Sequence, residues 1–471
     1  MPAITGEQYI TRIDQLGTEV WIDGEQVRGK LSEYRALKGI MRSQAALYTL
    51  QHDEKLKGDM MFHSPTTGDL VGMSFLQPKT KEDLAKRRQM VQHYATYHHG
   101  LMGRSPDYMN TVMMALACST DYLKDQEHCY PQHLQAYYEY AREQDLSITH
   151  TFIDPQVNRS KYYIEFNEKP IAATITEQND EGLIVDGAKL LATQGGITDE
   201  IFVMSSSSDG DGNRAFAFAI PSNTPGLKFV CRESFVLGDE AYNYPLSSKF
   251  DEIDALVVFD QVFVPWERVF YVNNVHVANT FAQNSLFRPL TLHQVVSRQV
   301  KKTEFLLDIA QKIVDSIKIG EYTHVQQKLA EMIVLLETME ALLLKSEHNA
   351  KLHAFGYMCP EQQPLEAAIL IYPKMYPRMI EIIQLLGASG LVNIPTKNSF
   401  QTELHDELNH YLQSKSQLGE ARVKLFRLAW DLTMSPFGTR QTLYERFFFG
   451  DPERMSGAIL QLYNENRENV Q

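Results

Sequence analysis

Cysteine is scarce in this chain. The four present among 471 residues, Cys118, Cys129, Cys231 and Cys359, form no CxxC pair, and their spacing matches neither a zinc knuckle nor a disulfide framework. Free thiols in a reducing compartment follow. No run approaches the roughly 18 consecutive apolar residues that a membrane-spanning helix requires. The first residues, MPAITGEQYITRIDQLGTEV, lack the basic and then apolar order of a secretory leader, so the expected location is cytoplasmic. A basic excess is missing as well: 45 Lys and Arg against 59 Asp and Glu give a net charge of -14, which excludes an extended polyphosphate-binding surface and makes nucleic acid an unexpected partner. Two phosphate-binding signatures are also absent, GxGxxG after a strand and GxxxxGK[ST], so neither a Rossmann nicotinamide site nor a P-loop is indicated.

What is present is an ordinary globular composition, 44% hydrophobic and 22% charged, in a chain long enough for two or three domains. From residue 7 to about 146 the apolar spacing is helical, as in Leu84, Met90, Val91 and Tyr94, or Tyr108, Val112 and Leu116. After Pro155 short β-rich runs take over, at 171–176, 182–193, 200–205, 215–220 and 255–265, separated by turn-rich stretches such as SSSSDGDGN and PSNTPG. From about 291 the helical period returns, and Val325, Leu329, Met332, Leu336, Met339 and Leu343 share one stripe of a long helix. The expected class is α+β in three parts: a helical domain over 1–150, a β-domain over 151–275 and a helical domain over 276–471. The junctions near 147–160 and 272–290 are the candidate hinges, and crevices between domains are common ligand sites.

Four segments could carry chemistry. In Met102-Gly103-Arg104-Ser105-Pro106-Asp107-Tyr108, Ser105 suits an N-cap, Pro106 the first helical position and Asp107 the first turn. Arg104 then stands beside a helix start whose free N–H groups, with the Tyr108 hydroxyl, can seat an anionic oxygen. On pattern alone, a surface ion pair and a core aromatic are the more common reading. Thr149-His150-Thr151 precedes Asp154-Pro155-Gln156-Val157-Asn158-Arg159, and His150 is the one side chain there able to take and return a proton near neutral pH, although a lone histidine is more often structural. The stretches Leu191–Gly196 with Ser205-Ser206, and Phe447–Pro452, read as loops; in the second, Gly450 fits a helix C-cap and Pro452 prevents the helix from resuming.

Taken together, MSFLQPKTKEDL, MGRSPDYMN, THTFIDPQVNRS, LLATQGG, YPLSSKFDE, DALVVFDQVFVPWERVF, HQVV and FRLAWDLTMSPFGTRQTLYERFFFGDP resemble the large oxygenase component of the 4-hydroxyphenylacetate 3-hydroxylases, in register from about residue 5 to about 455. The resemblance implies an acyl-CoA dehydrogenase-like fold, with an N-terminal helical domain, a β-barrel-like middle domain and a C-terminal four-helix bundle, assembled as a tetramer. It implies a monooxygenase that uses O2 and reduced FAD, delivered by a separate NAD(P)H:flavin reductase, to hydroxylate a small phenol ortho to its oxygen. The absence of a nicotinamide motif agrees with that division of labour. Carried over by position, Arg104, Tyr108 and His150 are the catalytic trio around the phenol oxygen, and Ser205 and Ser206 lie near the far end of the substrate. His150, Gln156, Val157, Asn158, Arg159, Thr193, Gly450, Asp451, Pro452 and Glu453 match flavin contacts. No metal site is expected. Three alternatives share the fold family. A 4-hydroxybutyryl-CoA dehydratase-like lyase with FAD and an iron-sulfur cluster is disfavoured, because Arg104 and Tyr108 occupy the loop where ligands are wanted and His293 has no cysteine within ten residues. A hydroxylase of chlorophenols differs only in substrate, and a non-enzymatic flavin-binding paralogue fits poorly with the retained trio.

Overall fold

A computed structural model describes residues 3–155, 170–205, 210–415 and 417–468. The N-terminal helices start where side-chain caps are available. Thr5 and Gln8 form a reciprocal capping box for Gly6–Leu16, which ends on Gly17 in the left-handed conformation, and Thr80 with Asp83 does the same for Lys81–Tyr97. The helix Pro106–Ala117 is apolar nearly all round, and all twelve of its residues are buried. It therefore runs through the core instead of along its surface, flanked by the helices Pro131–Gln144 and Phe287–Ile317.

Two sheets follow. The six-stranded one has the order Glu25–Gln26, Val20–Ile22, Leu227–Cys231, Asp254–Pro265, Gly182–Thr193, Thr174–Gln178. The four-stranded one has the order Val269–Val272, Phe216–Pro221, Glu200–Met204, Ile148–Thr151. Four of the five runs expected as strands coincide with these to within one residue, and the run at 171–176 becomes Thr174–Gln178. Two registers matter below. Thr193 pairs with Asp254 across an antiparallel ladder, and His150 pairs with Phe202 across a parallel one.

The structure corrects two expectations. The first third is not purely helical: Val20–Ile22 and Glu25–Gln26 form a hairpin that joins the larger sheet, Val20 pairing with Phe229. Its two-residue turn is Asp23-Gly24, both with positive φ (53° and 77°), the geometry a tight hairpin demands. The second concerns the candidate hinge at 272–290, which holds helical structure: helix Val275–Asn284 is capped by Asn274, and the long helix Phe287–Ile317 starts soon after it.

That long helix packs against Thr323–His348 and Gln362–Gly387. On Thr323–His348 the expected stripe faces inward: Val325, Met332, Met339 and Leu343 are buried, with Leu329 and Leu336 partly so. No described helix is long and apolar enough to cross a membrane.

Candidate functional site

The loop before helix Pro106–Ala117 is held by a buried carboxylate. The amides of Gly103 and Arg104 each donate to Glu252, at 2.7 Å. Gln194 also donates to Glu252 (3.0 Å), and both Gln44 (2.9 Å) and Gln194 (3.1 Å) donate to the Arg104 carbonyl. Around the helix start, the amides of Gly103 and Arg104, just ahead of it, are thus taken by Glu252, and the Tyr108 amide bonds to the Ser105 carbonyl (3.0 Å). The consequence is a rigid Arg104 backbone with the guanidinium left to face the cavity.

Arg104 points into a cavity of about 460 Å³ whose wall includes Tyr108, His150, Thr193, Tyr444 and Phe448. Its Nη1 donates to the Gly103 carbonyl (2.9 Å) and the Tyr444 hydroxyl (3.0 Å), and its Nη2 lies 3.5 Å from His150 Nε2. The guanidinium carbon sits 4.4 Å from the Tyr108 ring centre and 4.6 Å from that of Phe448, within cation–π range. The three expected trio members therefore share one wall, although Arg104 and His150 come from different elements 46 residues apart.

His150 is carried by strand Ile148–Thr151, whose neighbouring threonines tie it down: Thr149 donates to the Thr193 carbonyl and Thr151 to the Leu190 carbonyl, both at 2.7 Å. Burial and then the adjacent Arg104 charge push the His150 imidazole well below its ordinary 6.5, so it is neutral at pH 7. Burial raises the Tyr108 hydroxyl above its ordinary value, despite Arg104, so it too is uncharged.

A second cluster borders the same cavity. Thr193 Oγ1 donates to Asp254 Oδ1 (2.9 Å), the partner its strand register supplies. Arg440 grips Asp254 with two bonds of 2.6 Å, and Arg232 adds one of 2.9 Å. Burial alone would raise this carboxyl, yet Arg440 and Arg232 outweigh it and hold Asp254 ionised well below the usual carboxylate range. Asp254, Arg440 and Tyr444 were not singled out from the sequence. The spacing of Arg440 and Tyr444, four apart on helix Pro436–Phe447, was the available signal, and their partners are too distant in sequence to be read.

The remaining candidates fall differently. Gln156, Val157, Asn158, Arg159 and Ser206 lie outside the described residues. Ser205 does not line the cavity: its hydroxyl bonds to the Arg214 carbonyl and accepts from the Phe216 amide (3.2 Å). Gly450, Asp451, Pro452 and Glu453 begin where the Phe447–Phe449 wall ends. Gly450 has φ 119° but stands three residues past the end of Pro436–Phe447, whose cap is Phe448. Nor does Pro452 stop helix formation. It opens a new helix, Pro452–Glu468, at the position where a missing N–H costs nothing, with Asp451 accepting from the Glu453 amide (2.9 Å).

Residues 5–271 match the family described as 4-hydroxyphenylacetate 3-hydroxylase N terminal, and residues 278–470 match 4-hydroxyphenylacetate 3-hydroxylase C terminal. The chain belongs to the 4-hydroxyphenylacetate 3-hydroxylase family. Within it, a Bacillus subtilis (strain 168) protein named "Probable 4-hydroxyphenylacetate 3-monooxygenase" is 53% identical over 464 residues, 98% of this chain and 96% of that one. A crystal structure of the oxygenase component of 4-hydroxyphenylacetate 3-monooxygenase, complexed with FAD and 4-hydroxyphenylacetate, superposes with TM-score 0.94 at 41% identity, covering 99% of this chain and 97% of that one. Beyond the hydroxylase family, an archaeal 4-hydroxybutyryl-CoA dehydratase from N. maritimus (TM-score 0.86, 19% identity, 100% and 95% covered) and butyryl-CoA dehydrogenase from Megasphaera elsdenii (0.50, 15%, 97% and 98%) share the fold alone. The acyl-CoA dehydrogenase-like architecture is thereby established. The histidine that the lyase reading needed, His293, is buried with Nε2 bonded to Glu347 (2.8 Å), which also receives Arg88 (2.8 Å). The hydroxylase reading stands over the lyase reading.

Proposed function

We propose that this chain is the oxygenase component of a two-component, FAD-dependent monooxygenase that hydroxylates 4-hydroxyphenylacetate, or a close phenolic relative, ortho to its hydroxyl. The observation that carries the reading is the convergence of Arg104, Tyr108 and His150 on one cavity that Thr193 and the Arg440–Asp254 pair also border.

The cavity suits a flavin ring beside a phenol. Its wall includes the apolar side chains Phe152, Leu191 and Phe448, as planar aromatic ligands require. Three buried donors or acceptors on it, Arg104 Nε, His150 Nδ1 and Arg440 Nη1, have no hydrogen-bond partner among the described residues, and such atoms are costly unless a ligand completes them. Thr193 and Arg440 are assigned to the flavin side, with Gln156, Val157, Asn158, Arg159 and Gly450, Asp451, Pro452 and Glu453 as further contacts and His150 between the two ligands. Ser206 is assigned to the far end of the substrate; Ser205 is not, because its hydroxyl is bonded to backbone away from the cavity. Reduced FAD bound there supplies electrons and, with O2, the oxygen that is transferred.

The chain's own residues prepare the phenol. An electron-rich ring carbon attacks oxygen more readily when the ring bears a phenolate. Lowering a phenol from about pKa 10 to 7 requires about 4 kcal/mol of differential stabilisation. One charge-assisted bond from Arg104 contributes roughly 1.5 to 3 kcal/mol, and a neutral donor such as the Tyr108 hydroxyl roughly 0.5 to 1.5. Together those two bonds give roughly 2 to 4.5 kcal/mol, which meets the requirement at the upper end of that range. His150 Nε2, beside the Arg104 guanidinium, is the lone pair placed to take the phenol proton. Its depressed pKa keeps the imidazole neutral, with that lone pair available when the phenol arrives.

A separate NAD(P)H:flavin reductase, supplying reduced FAD by diffusion, is the assigned partner, and a tetramer of paired dimers the assigned assembly. Val334, Val392 and Leu418 on the helical C-terminal half are exposed apolar side chains that such an assembly could cover. The test is reconstitution. With a generic flavin reductase, NADH and FAD, the chain converts 4-hydroxyphenylacetate to its catechol; alone with NADH it does nothing. NADH-dependent turnover by the isolated chain, or no catechol from any phenol with the reductase present, defeats the reading.

A further inference from the structure

We infer that Tyr444 is a positioning residue for the phenol site: with the Gly103 carbonyl it occupies both protons of Arg104 Nη1, so that Nη2 and Nε are the N–H groups left to face His150 and the ligand. The inference rests on the phenol reading of the cavity. A guanidinium is a planar fork, and fixing one corner fixes the direction of the others. Nη1 has two protons and two acceptors, at 2.9 and 3.0 Å, whereas Nη2 is 3.5 Å from His150 and Nε has no partner among the described residues. Without the Tyr444 hydroxyl, Nη1 regains a free proton and the fork can rotate toward it.

The hydroxyl is held there by construction. A Cβ at position 103 would lie 2.1 Å from it, so this close approach requires glycine at 103. Stacking on Phe448, with ring centres 4.7 Å apart, sets the plane of the Tyr444 ring. The helix beneath is anchored on the same face. Arg440 grips Asp254, Gln441 donates to the Leu101 carbonyl (2.9 Å), and Glu445 accepts from Arg298 (2.9 Å) and Lys302 (2.7 Å). Residues 440 and 444, one turn apart, thereby join the Thr193–Asp254 cluster to Arg104 through a single rigid element. Tyr444 also suits the task electrostatically. Burial keeps it protonated despite Arg104 and Arg298, so it orients the guanidinium without cancelling its charge.

The experiment titrates a chromophoric phenol, 4-nitrophenol, bound to the full chain with oxidised FAD and no reductase, following its phenolate absorbance against pH. The wild-type protein holds the probe ionised to a lower pH than free solution does. Tyr444→Phe keeps the ring and its stack but raises the bound probe's pKa by about one unit, a tenfold loss of preference for phenolate. Arg104→Ala raises it at least as far, and Tyr444→Phe in the Arg104→Ala background adds nothing, because the tyrosine acts through the arginine. A wild-type titration in Tyr444→Phe, with Arg104→Ala still shifted, overturns the inference and leaves the phenol site standing. So does a full additional shift in the double variant. If the wild-type protein itself leaves the probe's titration unchanged, the phenol reading fails, and this inference with it.

Discussion

Replacing Arg104 separates chemistry from binding. In Arg104→Ala the phenol loses its one cationic donor, and the Tyr444 hydroxyl and Gly103 carbonyl lose theirs. The phenolate bond is worth roughly 1.5 to 3 kcal/mol, and a loss of about 2.7 slows hydroxyl transfer by about a hundredfold. Arg104→Lys retains a point charge and three donors but loses the planar fork that aims them apart at Gly103, Tyr444 and the ligand, so it falls between. Oxygen consumption needs only reduced flavin, so it continues in both variants and the difference emerges as hydrogen peroxide. The assay is catechol formed per O2 consumed, with reduced FAD supplied by a separate reductase, across a series of pH values. Coupling in Arg104→Ala recovers partly as the pH approaches the phenol's own pKa, about 10, where no stabilisation is needed. The imidazole of His150, freed from the neighbouring charge, moves up toward its ordinary value while remaining held down by burial. Coupling equal to the wild type at every pH refutes the assignment of Arg104 to the phenol oxygen, and loss of oxygen consumption moves it to the flavin site.

Asp254→Asn removes the carboxylate that two guanidiniums and Thr193 share, and breaking such a buried pair costs about 3 to 5 kcal/mol; a denaturant midpoint within error of the wild type contradicts this. Folding holds His150 below the unfolded value of about 6.5, so its contribution is intact above that pH and is lost as the pH falls below it. The wild-type protein therefore loses more stability than His150→Gln between pH 7 and 5, measured by urea midpoints; equal losses show that the imidazole is not held neutral. A dimer is the smallest active unit and a tetramer the expected one, and light scattering that finds an active 54.0 kDa monomer refutes this.

How far the sequence reveals this structure depends on the range of the interaction. Helix starts were legible: Ser105-Pro106-Asp107 marks the start of Pro106–Ala117, with Pro106 at its first position, although the Ser105 side chain makes no cap bond. The hairpin at Asp23-Gly24 escaped because three- and two-residue strands carry no measurable period, although its turn dipeptide is a hairpin signal. Arg104, Tyr108 and His150 were weak on pattern and gained weight only from resemblance along the whole chain. Their common wall is produced by a strand and a helix start meeting in space. Glu252, Asp254 and Tyr444 stayed silent, since their meaning lies in partners 148, 186 and 340 residues away. The same distance misled the reading of the 102–108 loop. Its Gly103 and Arg104 amides, just ahead of the helix, are taken by a carboxylate from a remote part of the chain.

The central claim is that this cavity brings a phenolate to activated oxygen. Its most direct test is a reaction under 18O2 with 4-hydroxyphenylacetate, reduced FAD from a separate reductase and the purified chain, read by mass spectrometry and NMR. The account predicts a catechol with one labelled oxygen, located ortho to the original hydroxyl. Unlabelled product, label at another position, or oxygen recovered wholly as hydrogen peroxide contradicts it.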